Sequence, residues 1–204
     1  MTELIVALDG EPGAKTRAMM SDLMVAGVRW FKVGVPMLLH PEGRRTADFI
    51  RHLACQMMLD LKLYDTRDTA LRSVDAACEM GASMLTVHDD CLKHIAGEDR
   101  IKILAVRKLT DGTGQRPAHW GRQADGIVCS VRHAQVVRRH TDTLLVCPGI
   151  RRTSGAPDNH KDIATASDAC AAGADYIVVG RPIYAAADPV KAALAIQADL
   201  ADIA

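Results

Sequence analysis

The sequence predicts a (β/α)8 barrel formed by one domain over residues 1–204. Three observations point there. Eight short apolar runs recur along the chain, amphipathic segments of helical period fall between them, and no linker or composition shift interrupts the alternation. Most runs are continuously apolar, as strands covered on both faces are. The first is Leu4–Leu8, followed by the helical segment Lys15–Val25. Trp30–Val33 precedes Arg44–Leu53, and Met57–Leu61 precedes Ala70–Met80. Met84–Val87 and Ile101–Val106 supply the fourth and fifth strands. Gly126–Cys129 leads into Val131–His140, Leu144–Cys147 into Asp162–Ala172, and Tyr176–Val179 into Pro189–Ala201. The mean repeat of about 25 residues is compact for such a barrel. The rival architecture, a doubly wound open sheet, usually has fewer strands, and its G-x-G-x-x-G fingerprint is missing.

Composition narrows the function. A chain of 204 residues, 49% hydrophobic and 25% charged, buries a sizeable core and is neither disordered nor collagen-like. Lys+Arg 25 against Asp+Glu 25 leaves no global field to attract nucleic acid or an anionic membrane, so any anion site is local. No run approaches the roughly 18–20 apolar residues that span a bilayer. Met1-Thr2-Glu3 offers no basic n-region, and the first apolar run breaks at Asp9-Gly10, so no secretory signal is expected. The six cysteines form no C-x-x-C pair and lack the spacing of a zinc site. They read as reduced thiols packed in a cytoplasmic protein.

Barrel chemistry sits at the C-terminal ends of the strands. Those ends carry Asp9, Lys32, Asp60 with Lys62, His88, Pro148-Gly149 and Gly180-Arg181. Asp60 and Lys62 are two residues apart, so a regular strand would turn both to the same side. Charge facing a barrel interior is costly unless paired. Lys32 interrupts the apolar run Phe31-Lys32-Val33-Gly34, and Asp65 opens the segment after Lys62. Taken singly, these residues have plain structural readings: Asp65 as a helix N-cap with Asp68 in the first turn, Asp60 and Lys62 as a structural ion pair. Alternating charges on neighbouring strands favour a functional cluster.

Asp60-Leu61-Lys62-Leu63-Tyr64-Asp65-Thr66-Arg67-Asp68-Thr69 resembles the D-x-K-x-x-D signature of the orotidine 5′-phosphate decarboxylase family, with that family's threonine at Thr69. The resemblance covers most of the chain. Leu4–Asp9 is similar to the family's first strand, Phe31–Gly34 to its second with the lysine, and Thr86-Val87-His88 to its fourth. Cys147-Pro148-Gly149-Ile150-Arg151 resembles its P-G-I-R turn, and Val178-Val179-Gly180-Arg181-Pro182-Ile183 its phosphate-binding eighth strand.

The resemblance implies a Lys32-Asp60-Lys62-Asp65 network around the reacting carbon, with Lys62 as proton donor. It implies a homodimer in which Asp65 and Thr69 reach the neighbouring subunit's site. Asp9 would hold the ribose hydroxyls with Lys32 and Thr69, and Gly180 and Arg181 the 5′-phosphate. Thr110, Pro148 and Gly149 complete the expected substrate contacts. Loss of carbon dioxide leaves electron density at C6 with no neighbouring sink, and a fixed ammonium aimed there stabilises the carbanion and then protonates it. No metal or organic cofactor is expected.

The chain also departs from the family's common pattern. Tyr64-Asp65-Thr66-Arg67-Asp68-Thr69 stands where His-Asp-Ile-Pro-Asn-Thr is usual. Asp111 replaces a serine expected near the pyrimidine, and a seventh-loop glutamine is replaced by Thr153 or lost near His160. These departures bear on base recognition and loop closure. His88 reads as a satisfied residue of the barrel mouth, Arg151 and Arg152 as loop charges or phosphate ligands, Tyr64 as packing or a dimer contact, and Ser154–Asp162 as a loop. Two other functions compete. A magnesium-dependent sugar-phosphate lyase or decarboxylase of the same superfamily, of the hexulose-phosphate synthase or keto-gulonate-phosphate decarboxylase type, wants a carboxylate on the second strand, where this chain has Lys32. A non-catalytic nucleotide-binding barrel would have no need of the Asp60, Lys62 and Asp65 charges.

Overall fold

The computed structural model describes residues 1–95, 97–106, 123–151 and 164–201. Within them the expected eight strands close into a parallel barrel in sequence order, β1 pairing with β8. They are β1 Glu3–Ala7, β2 Trp30–Gly34, β3 Gln56–Leu63, β4 Met84–His88, β5 Lys102–Val106, β6 Gly126–Val128, β7 Leu144–Cys147 and β8 Tyr176–Val179. The helices are α1 Ala14–Val25, α2 Val35–Leu39, α3 Gly43–His52, α4 Arg67–Glu79, α5 Asp89–Leu92, α6 Val131–Arg138, α7 Ala166–Ala171, α8 Arg181–Tyr184 and α9 Pro189–Ala201.

Strand alternation divides the core in two. Ile5, Ala7, Trp30, Met58, Met84, Leu104, Val146 and Val178 fill the barrel interior. Their neighbours, such as Leu4, Val6, Phe31, Val33, Met57 and Leu59, pack outward against the helices. At the N-terminal end Trp30 meets Tyr176 edge-on, with ring centroids 5.2 Å apart, and Trp30 Nε1 donates to Glu3 Oε2 at 3.2 Å. An indole that fills space while its N–H finds an acceptor closes that end without an orphaned donor. The other end is left to the polar residues.

Three local features differ from the sequence expectation. α4 begins at Arg67, not Ala70, and its N-cap is Thr66 rather than Asp65. Asp65 Oδ1 instead accepts from the Thr66 backbone N–H at 2.7 Å, holding the turn before the helix. α7 starts at Ala166 rather than Asp162, because Thr165 and Asp168 form a reciprocal capping box: Asp168 N donates to Thr165 Oγ1 and Thr165 N to Asp168 Oδ2. Two short helices, α2 and α5, stand directly after β2 and β4, where the sequence reading assigned no element. α2 turns sharply into α3 at Gly43, where a Cβ would sit 1.8 Å from the Met37 carbonyl oxygen, so only glycine fits.

Candidate active site

The C-terminal ends of β1, β2 and β3 bring Asp9, Lys32, Asp60 and Lys62 into one continuous chain of ion pairs. Lys32 Nζ lies 3.0 Å from Asp9 Oδ1 and 3.1 Å from Asp60 Oδ2, and Lys62 Nζ lies 2.7 Å from Asp60 Oδ1. The register explains the meeting: Lys32 pairs with Ala7 on one side and Met58 on the other, and Gly34 with Asp60, so these side chains project at nearly one level.

Asp60 and Lys62 do share a side, though not by regular pleating. β3 shifts register against β4 between Leu59 and Leu63, and Lys62 has φ +48°, in the left-handed region. Among the described residues only Ala54 and Lys62 combine a side chain with positive φ. The kink is bridged from β4 by Thr86, whose hydroxyl accepts from Lys62 N–H at 2.9 Å and donates to Asp60 Oδ1 at 3.0 Å.

The charges differ in exposure. The side chains of Lys32 and Asp60 are 12% and 14% exposed, and that of Lys62 is 57% exposed. Burial pushes the Lys32 pKa down, but Asp60 and Asp9 outweigh it and hold the ammonium above its ordinary value. Burial pushes the Asp60 carboxyl up, and the Lys32 and Lys62 ammoniums reverse that, holding it below the usual carboxylate range. Lys32 and Asp60 therefore hold each other in their charged forms at neutral pH.

A cavity of about 290 Å³ opens over this chain. Besides the four charged residues it is lined by Pro148, Gly149, Gly180 and Arg181, all anticipated from sequence, and by Arg151, Tyr184 and Met58. Lys32, Lys62, Arg151 and Arg181 outnumber Asp9 and Asp60, which makes the cavity cationic in a chain of zero net charge. Tyr184 was not anticipated. Its ring lies against the Gly10 and Gly180 backbones, where Cβ atoms would approach it to 3.3 and 3.5 Å.

Asp65 and Thr69 do not line this cavity. Asp65 is exposed at the rim beside Tyr64, and Thr69 accepts from the Thr66 hydroxyl at 3.2 Å. His88 caps α5, accepting from Asp90 N–H through Nδ1 at 3.4 Å, with the Tyr64 ring edge-on at 5.1 Å. Thr110, Asp111, Arg152, Thr153, His160 and the segment Ser154–Asp162 lie outside the described residues.

Residues 2–89 and 89–196 match the family described as "Orotidine 5'-phosphate decarboxylase / HUMPS family". The orotidine 5′-phosphate decarboxylase of Nitrobacter winogradskyi is 36% identical over 228 residues, covering 98% of this chain and 93% of that protein. The enzyme of that name from Nitratidesulfovibrio vulgaris is 30% identical over 243 residues, covering 100% and 99%. Both aligned lengths exceed the 204 residues of this chain, so those relatives carry residues it lacks. The crystal structure of orotidine 5′-phosphate decarboxylase from Lactobacillus acidophilus superimposes with a TM-score of 0.73 at 26% identity, covering 98% of this chain and 99% of that one. With a cationic cavity at the mouth of the barrel and a family match along nearly the whole sequence, the chain belongs to the orotidine 5′-phosphate decarboxylase / HUMPS family.

Proposed function

We propose that this protein decarboxylates orotidine 5′-monophosphate to uridine 5′-monophosphate, with Lys62 as proton donor. The observation that carries the reading is the asymmetry of the two lysines. Lys32 is locked between Asp9 and Asp60, whereas Lys62 is tethered to Asp60 by one 2.7 Å contact and remains half-exposed at the cavity. One ammonium organises the site and the other is presented to a substrate. The relatives' shared name supplies the reaction.

The reaction takes up one proton, delivered by a protein group and replaced from solvent. The bond from C6 to the carboxylate breaks, carbon dioxide leaves, and the electron pair stays on C6. Lys62 gives C6 a proton and recovers one from water. An ammonium fixed beforehand at the developing charge lowers the barrier without reorganisation during the step. Asp60 keeps that ammonium aimed, and Asp9 accepts from the ribose hydroxyls. Arg181 and Gly180 hold the phosphate with Arg151 from the facing turn, planar guanidinium groups matching phosphate oxygens.

Asp65 and Thr69 complete the neighbouring subunit's site in a homodimer. Their position outside the chain's own cavity supports that arrangement. The protein acts as one domain in the cytoplasm; among the described residues no helix is long and apolar enough to cross a membrane.

A magnesium-dependent sugar-phosphate lyase fits the donor set poorly. Both Asp60 oxygens already accept from ammonium groups, and Lys32 stands where a second carboxylate would be needed. Purified protein mixed with orotidine 5′-monophosphate, with and without chelator, separates the readings through the ultraviolet change on decarboxylation. The expected result is rapid turnover unaffected by chelator and abolished in folded Lys62→Ala. Inactive wild type, or activity lost on chelation, overturns the assignment.

A further inference from the structure

The kink at Lys62 places an L-residue in a backbone conformation that is disfavoured unless its surroundings hold it. One side chain spans it. Thr86 is 0% exposed, and its hydroxyl uses both of its capacities across the kink, accepting from Lys62 N–H and donating to Asp60 Oδ1. That oxygen also accepts from Lys62 Nζ at 2.7 Å, while Oδ2 accepts from Lys32 Nζ at 3.1 Å. Thr86, the Lys62 backbone, the Asp60 carboxylate and the Lys62 ammonium therefore close a ring of hydrogen bonds.

We propose that Thr86 is a positioning residue: its hydroxyl locks the Lys62 kink to the Asp60 carboxylate and so fixes where the Lys62 ammonium points. Thr86 does not line the cavity, so its influence on substrate passes through Lys62 and Asp60. Valine at this position keeps the shape but removes both bonds, leaving the Lys62 N–H without its acceptor and Asp60 with one donor fewer. Serine keeps both bonds and loses only a methyl group. An ammonium that wanders by a fraction of an ångström still meets its substrate but protonates it less often, so the loss falls on kcat rather than KM.

The kinetic consequence rests on Lys62 as proton donor; the lock itself does not, and two readouts keep them apart. Hydrogen exchange at the Lys62 amide reports the lock without reference to turnover. Thr86→Val should speed that exchange about tenfold or more, because the amide has lost its buried acceptor. In steady-state kinetics Thr86→Val should lower kcat about 10- to 100-fold with KM changed less than about threefold, and Thr86→Ser should stay within about threefold of wild type in both. Should the valine variant fail to fold, Thr86→Ala is expected to show the same split. Wild-type exchange and kcat in folded Thr86→Val overturn the proposal. So does a Thr86→Ser variant as impaired as the valine one, since methyl packing would then be the cause. A wild type inactive toward orotidine 5′-monophosphate sinks the reaction assignment, and the exchange rates then decide the lock alone.

Discussion

Asp60 is the residue on which the site turns, because two ammoniums and a hydroxyl converge on its two oxygens. Its lowered folded pKa ties protonation to stability. The stabilisation is fully present above the ordinary value of 3.8 and is lost as pH falls through the lower folded value. For Lys32 the sign is opposite: the stabilisation is complete below 10.5 and lost as pH rises through the raised folded value. Urea unfolding of wild type and Asp60→Asn should therefore show a stability gap that is constant at neutral pH and narrows through the acid range below 3.8. A gap independent of pH would mean that the carboxylate charge contributes nothing to the fold. At this scale Asp9, Lys32, Asp60 and Lys62 were legible in the sequence, since charge at the end of an apolar strand needs a reason. Thr86 was not. A threonine in a strand is ordinary, and its task depends on a register shift in the strand beside it.

Among the elements, every strand end was read to within two residues, because continuous apolar runs bounded by polar residues mark them directly. The widest miss is at β3, which runs two residues past Leu61 to Leu63 through a kink that no side-chain pattern announces. α2 and α5, five and four residues long, were invisible because so short a helix shows no period. The turn from β8 into α8 carries the prediction that belongs here. Gly180 lets the backbone approach a ligand, with Asp9 Oδ2 and the Tyr184 ring close by, and Arg181 stands at the cavity wall. Arg181→Ala should lower kcat/KM by about 2–4 kcal/mol of transition-state binding, as expected for a charge-assisted phosphate contact. Orotidine without its phosphate should be a very poor substrate for wild type, and added phosphite should partly restore its turnover. Unchanged kcat/KM in Arg181→Ala places the anion site elsewhere.

The molecule as a whole is a closed barrel whose N-terminal end is plugged by Trp30 and Tyr176 and whose other end carries every charge of the proposed chemistry. The barrel was legible because the alternation of strand and helix repeats along the chain, whereas a second subunit leaves little trace in one sequence. Only the family resemblance put Asp65 and Thr69 in a partner's site, and the structure holds both outside the chain's own cavity. Mixed subunits read most directly whether the β3 charges and a second copy's Asp65 make one catalytic centre. Lys62→Ala and Asp65→Ala homodimers should each be inactive. Refolded together in equal amounts, they should recover about a quarter of wild-type activity, because half of the randomly paired dimers are mixed and each of those keeps one intact site. No recovery, with mixed dimers demonstrated, would contradict the shared centre and assign Asp65 to its own chain.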